Sequence, residues 1–327
     1  MKHTMNRILN LCILLVASQI FAVVSAKAQS DADLTQRWFN ESLYNPAAAG
    51  NSFTTGLFLH ARQQWAGMPS APSTQAGTFD TYVETINSGF GFTFSADKIG
   101  PTKSYNARLA YAYYFAFGSR SSLSLGLSAG LLSRNRNVSN STIDDQNDPA
   151  WLLGNASEMS PDFDFGAEYR GLFKLGATVR HIGVQASSNN LPKYSTNIWV
   201  YASSRFNATS SFSVEPIASL TYRDEIYRME GGLLCYFFKT QGRDTYNDRF
   251  WLGGVYRSDS NFAVMAGMNI TPKIRLGYSF DYGAGEVMNI SKYGTHELFL
   301  AFQFNRIFYK DELCPAYRNS NAARKRR

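Results

Sequence analysis

The chain has 327 residues, of which 15% are aromatic and only 17% charged, a balance that suits extensive sheet-like surface and little highly charged surface. Its formal net charge of +7 sits at the ends. Without the N-terminal cations Lys2, Arg7 and Lys27 the charge is +4, and residues 306–327 carry +5 of it. The body is therefore near −1, which excludes a nucleic-acid interface built on the body's net charge.

The first 28 residues read as a secretory signal peptide. Lys2 and Arg7 form a basic start, residues 8–24 are mostly apolar, and Ala26-Lys27-Ala28 has the small-x-small form of a cleavage site, placing cleavage after Ala28. Cys12 follows Leu11, where lipidation requires a small residue. Residues 29–51 are expected to be a short periplasmic segment, too few for a large plug. No later stretch reaches the roughly 18 consecutive apolar residues of a transmembrane helix. A period of two runs through the rest instead. Leu123, Leu125, Leu127 and Leu131 alternate with Ser124, Gly126, Ser128 and Gly130. Phe163, Phe165 and Tyr169 alternate with Asp164, Gly166 and Glu168.

The alternation predicts strands over 53–63, 74–82, 89–96, 104–117, 122–134, 161–169 and 172–182. It continues over 196–205, 211–223, 226–238, 249–258, 261–270, 273–282 and 295–305. Most approach the length of about 9–11 residues that a tilted membrane strand needs. Long connections (64–73, 135–160, 183–195, 283–294) alternate with short ones, as in an outer-membrane barrel. Residues 239–248 break the pattern, being long where a short turn is due. The expected fold is all-β: a transmembrane antiparallel β-barrel of about 14 strands over 52–305, both termini periplasmic, with a basic tail at 306–327. The apolar faces, with Leu125, Leu127, Leu276, Phe280 and Leu300 near mid-strand, are expected to meet outer-membrane lipid. A secreted soluble β-sandwich is the rival architecture; it accounts less well for the aromatic excess and the strand lengths.

The polar faces carry both signs of charge. Arg108, Glu168, Glu215, Glu230, Arg275, Asp281 and Glu297 are candidate lumen residues whose opposite charges can pair, favouring a stabilised, plugged interior over an ion pore with one sign of field. Arg62, Gln64, Trp65 and Pro72 form a candidate partner-contact loop, or simply a stiff one. Asp144, Asp145, Asp148 and Trp151 lie in the longest loop. Their oxygens suit calcium, a partner contact or a solvated loop, without calcium-loop spacing. Arg318, Arg324, Lys325, Arg326 and Arg327 are a candidate periplasmic contact. His60, His181 and His296 have no second His or Cys at ligand spacing, and no catalytic constellation stands out, so no enzyme activity, metal or cofactor is expected. Cys235 and Cys314 are expected to be free.

Five stretches carry a resemblance to a known family: "LYNPAAAGNS" (43–52), "RQQWAGMPSAPSTQAGTFD" (62–80), "WLGGVYRSDSNFAVMAGMNI" (251–270), "IRLGYSFDYGAGEV" (274–287) and "GTHELFLAFQF" (294–304). In this order they resemble the PorP/SprF family of Bacteroidetes outer-membrane proteins. The first has Ala47-Ala48-Ala49 where an aromatic is common, and Arg324 to Arg327 extend past the family's usual end at Cys314-Pro315. The resemblance implies a non-enzymatic barrel associated with type IX secretion, exported through a cleaved signal peptide. It supports export or surface anchoring of a large secreted protein, such as a gliding adhesin, and contacts a periplasmic peptidoglycan-binding or secretion-machinery protein. The alternative is a passive outer-membrane transporter or porin for small solutes.

Overall fold

The computed structural model describes residues 33–304, apart from 53, 118–120, 139–153, 185–190, 192–193, 210, 242–244, 260 and 284–292. The signal region, Cys314 and the basic tail lie outside the described residues.

Every predicted strand forms. In chain order they are β1 (Thr55–Gln63), β2 (Ser73–Val83), β3 (Ser88–Ile99), β4 (Thr102–Ala116) and β5 (Ser122–Arg136). Next come β6 (Ala156–Arg170), β7 (Lys174–Ile182), β8 (Asn197–Ser203), the two-residue β9 (Phe206–Asn207) and β10 (Phe212–Arg223). The last are β11 (Ile226–Gln241), β12 (Thr245–Arg257), β13 (Asn261–Thr271), β14 (Ile274–Gly283) and β15 (Thr295–Phe304). β8 and β9 lie end to end along β10, so the wall has 14 staves. Each stave pairs antiparallel with its neighbours, and β1 pairs with β15 from Thr55↔Phe304 to Gln63↔His296, which closes the sheet and removes its edges.

The period of two sorts the residues as expected. On β5, Ser124, Gly126 and Ser128 point inward and are buried, while Leu125, Leu127 and Leu131 point outward, Leu127 being 60% exposed. Leu276, Phe280 and Leu300 share the outward face. Outward Phe90, Phe92, Leu109, Tyr111, Phe163 and Phe165 continue an apolar exterior that would be untenable in water at this extent and is natural against hydrocarbon. No helix among the described residues is long and apolar enough to cross a membrane.

Two departures concern strand ends. β6 pairs with β5 through Pro161 to Ala156, five residues before the expected start, because a proline that looked like a strand opening lies within the ladder. The long connection at 239–248 is a hairpin: β11 and β12 stay paired to Gln241↔Thr245, with a register shift between Phe237 and Phe238.

One end of the barrel carries the connections 64–72, 137–155, 183–196 and 284–294; the other carries short turns such as 84–87, 171–173 and 272–273. These are the loop end and the turn end below.

Candidate functional site

The described part of the N-terminal segment lies inside the barrel. The expectation of a short periplasmic segment fails for residues 33–49: Leu34, Ala47, Ala48 and Ala49 are fully buried, and Trp38, Leu43 and Tyr44 nearly so. The segment forms three short 3-10 turns, Thr35–Phe39, Glu41–Leu43 and Pro46–Ala48. Proline at the first position of the last turn fits that start, and the Asn45 side chain accepts a 3.0 Å bond from the Ala47 N–H. Few intrasegment bonds are available to such turns, so the wall supplies partners for many of the remaining polar groups.

At the loop end, Thr35 is the hub. Its N–H donates to Glu297 at 2.7 Å and the Gln36 N–H donates to the other oxygen at 3.0 Å. The Thr35 hydroxyl donates to Asp281 at 2.8 Å and accepts from Arg62 and Arg257, each at 2.9 Å. Arg62 also pairs with Asp281 (2.7 Å) and Glu297 (3.1 Å), and Arg257 with Asp281 (3.0 Å) and Glu230 (2.7 Å). Arg37 bridges Glu230 at 3.1 Å and Asp33 at 2.8 Å, and Asp33 pairs in turn with Arg228. Four arginines thus face four carboxylates, so the layer is formally neutral.

A second neutral layer closes the turn end. Glu41 pairs with Lys174 and, at 2.6 Å, with Arg170, which also holds Glu168 at 2.6 Å; the Tyr201 hydroxyl donates to Glu168. Wall groups fix the segment's carbonyls: Tyr114 donates to Ala49 (2.8 Å), Ser124 to Ala47 (2.7 Å) and Arg108 to Leu43 (3.1 Å). Between the layers, Trp38 packs edge-on to Trp199 and Tyr201, and its indole N–H donates to Glu230 at 2.8 Å. Phe39 lies 4.2 Å from Trp251 and 5.9 Å from Phe299, centroid to centroid. Burying Trp38, Leu43 and Tyr44 contributes roughly 1.5–3 kcal/mol each.

Wall glycines make room for this filling. A Cβ on Gly126 would meet the Ala47 nitrogen at 2.2 Å, one on Gly166 the Asn45 side-chain oxygen at 1.9 Å, and one on Gly89 the Ala49 carbonyl at 1.8 Å. Gly126→Val is therefore expected to push the segment off the wall and destabilise the barrel by about 1–3 kcal/mol. Gly231, which points outward with nothing within 4 Å of a built Cβ, is the control, and Gly231→Ala should leave stability near wild type. Comparing the temperatures at which the two variants lose the compact gel mobility of the folded barrel checks this.

Every charged residue assigned to the lumen has inward register. Arg108, Glu168, Glu230, Asp281 and Glu297 are buried; Glu215 and Arg275 are half-buried nearer the turn end. Arg62 requires a correction. It does not belong to a partner-contact loop: it is the second-last residue of β1, inward-facing and 8% exposed, and its guanidinium is engaged by the loop-end layer. Gln64, Trp65 and Pro72 do lie in the loop. The Gln64 N–H closes it on the Pro72 carbonyl (2.9 Å), and the Trp65 and Ala66 N–H groups reach across the β1–β15 seam to Thr295 and Gly294. Asp144, Asp145, Asp148, Trp151, Arg318, Arg324, Lys325, Arg326 and Arg327 lie outside the described residues.

Asp162, Asp164 and His181 converge closely enough to suggest a cation site. Arg108 already supplies the positive charge, 3.1 Å from Asp164, while Asn106 and His181 bond to Asp162 and Ser128 to Asp164. His60, buried in the lumen, is 3.6 Å from Glu297 and 3.2 Å from Asn40. Cys235 is free.

Sequence reasoning missed the N-terminal filling because short 3-10 turns leave no periodicity. The available signal was the coincidence of inward glycines in three strands with the small residues of "NPAAAG".

The barrel is similar in outline to several solved structures of low sequence identity. A TodX ΔS2S3 mutant, a monoaromatic hydrocarbon channel, matches with a TM-score of 0.49 and 11% identity over 81% of this chain and 94% of that one. The CymD monoaromatic hydrocarbon channel matches with a TM-score of 0.46 and 13% identity over 88% and 95%. Omp33 of Acinetobacter baumannii matches with a TM-score of 0.43 and 10% identity over 77% and 100%. No curated protein sequence matches the chain. Residues 26–302 match the family described as type IX secretion system membrane protein PorP/SprF, a span that contains the lumen-filling segment and nearly all of the wall. The chain is thus an outer-membrane-type β-barrel belonging to the PorP/SprF family of type IX secretion system membrane proteins.

Proposed function

We propose that this barrel is a non-enzymatic component of type IX secretion that supports export or surface anchoring of a large, adhesin-like secreted protein. The observation that carries this reading is the filled, charge-neutral lumen. Among the described residues Glu297, Trp251 and Tyr201 are each 1% exposed, so no water-lined path runs beside these three side chains. A porin needs such a path, so passive solute conduction fits these residues poorly. With its interior occupied, the barrel has its loops, turns and tail left for contacting other proteins. The loop around Trp65, together with Asp144–Trp151, is the proposed contact for the exported partner. The turns and the basic tail are proposed to contact periplasmic machinery.

Deleting the gene should remove one or a few large proteins from the cell surface and leave nutrient uptake intact. Trp65→Ala should reduce display of the same proteins while the barrel assembles normally. Quantitative proteomics of surface-shaved cells checks both; a full surface complement in the deletion strain would end this reading.

A further inference from the structure

The N-terminal segment has a direction. Of its earliest described residues, Asp33 and Thr35 bond to the loop end. Asp33 pairs with Arg228, the third residue of β11, and Thr35 is held by Arg62, Arg257, Asp281 and Glu297. Those four are the second-last residue of β1, the last of β12, the third-last of β14 and the third of β15, all at the loop end of their strands. Its later residues bond to the turn end: Ala49 to Tyr114, near the end of β4, and Glu41 to Arg170 and Lys174, which flank the turn between β6 and β7. The chain then leaves through Gly50 to begin β1 at Thr55 from the turn end. The segment therefore runs the length of the lumen, opposite to β1.

We infer that the chain preceding Asp33 leaves the lumen at the loop end, so that the mature N-terminus lies on the outer surface of the cell and not in the periplasm. This rests on the outer-membrane reading above, in which long loops face out and short turns face the periplasm. It replaces the expectation of two periplasmic termini; β15 still ends at the turn end. The bonding argues for a fixed course. Asp33 is anchored by Arg37 and Arg228, and Arg228 also lies 3.8 Å from Asp259 in the β12–β13 turn. The exit is thus tied between two tight connections of the loop end. Thr35 is gripped at once by β1 through Arg62 and by β15 through Glu297.

Cysteine accessibility tests the exit in the full-length protein. In a Cys235→Ser, Cys314→Ser background, Ala32→Cys reports on the N-terminus, Met68→Cys on the loop end and Ile86→Cys on the turn end; Met68 and Ile86 are both exposed. Intact cells are treated with a membrane-impermeant polyethylene-glycol maleimide, and labelling of denatured protein gives the total. The expected result is a gel shift of Ala32→Cys and Met68→Cys on intact cells, with Ile86→Cys shifted only after lysis. Ala32→Cys protected alongside Ile86→Cys while Met68→Cys is labelled would overturn the exit and leave the barrel's orientation standing. Ile86→Cys labelled on intact cells, with the other two protected, would overturn the orientation and the exit together. A short epitope inserted between Ala32 and Asp33, read by antibody on intact cells, gives the same decision without relying on one thiol; an epitope reached only after lysis refutes the exit.

Discussion

Asp281→Ala is expected to destabilise the folded barrel by about 3–5 kcal/mol, the scale for removing one partner from a buried ion pair. Asp281 accepts from Arg62 at 2.7 Å, from Arg257 at 3.0 Å and from the Thr35 hydroxyl at 2.8 Å. Without it, two buried guanidiniums lose a shared counter-charge and the N-terminal segment loses a tether. Most of the loss is the cost of the stranded cations, so Arg62→Met added to Asp281→Ala should recover part of it. The double variant is then less damaged than the sum of the singles. Thermal unfolding in detergent, followed by loss of heat-modifiable gel mobility, measures all three. Simple additivity, or an Asp281→Ala barrel as stable as wild type, would mean that the layer does not hold the segment.

Leu127→Arg carries the next largest expected effect. Leu127 is outward and mid-strand on β5, 60% exposed, and an arginine on the lipid face near the midplane costs roughly 2–4 kcal/mol. Leu276→Arg should behave alike. Leu172 is more exposed still, at 85%, but lies in the turn between β6 and β7, where the cost should fall to about 0–1 kcal/mol. Exposure to water would give no such depth dependence. Outer-membrane insertion of the three variants, measured by fractionation, therefore separates a lipid-facing surface from a solvated one. Equal insertion of all three would mean these strands are not in lipid.

The wall was legible because a strand with unlike faces writes its period into the sequence. Leu125 and Gly126, or Phe280 and Asp281, differ enough in polarity that facing and register follow together. Inward charges of both signs pointed to a paired interior, and Glu230, Asp281 and Glu297 do meet arginines there. What the sequence did not reveal was the third partner. Thr35, Gln36 and Arg37 belong to no periodic element, and apart from Asp33 and Arg62 the side chains they bond lie 182 to 262 residues away along the chain, beyond any local signal. Arg62 was grouped with the loop because the polar run "RQQW" begins one residue before β1 ends, although the predicted strand 53–63 contained it; its period of two with buried Phe58 and His60 turns it inward, opposite Glu297. The proline at 161 hid the start of β6, since nothing local distinguishes a proline inside a ladder from one that opens it.

The lumen-filling segment is the claim on which the functional reading depends, and single-channel recording in planar bilayers tests it most directly. The wild-type barrel should insert without steady ohmic conductance, and a variant lacking residues 33–49 that still assembles should conduct, because the neutral layers and the Trp38–Phe39 packing would be gone. A wild-type barrel that conducts steadily, at the level of the deletion variant, would contradict the account and restore a porin.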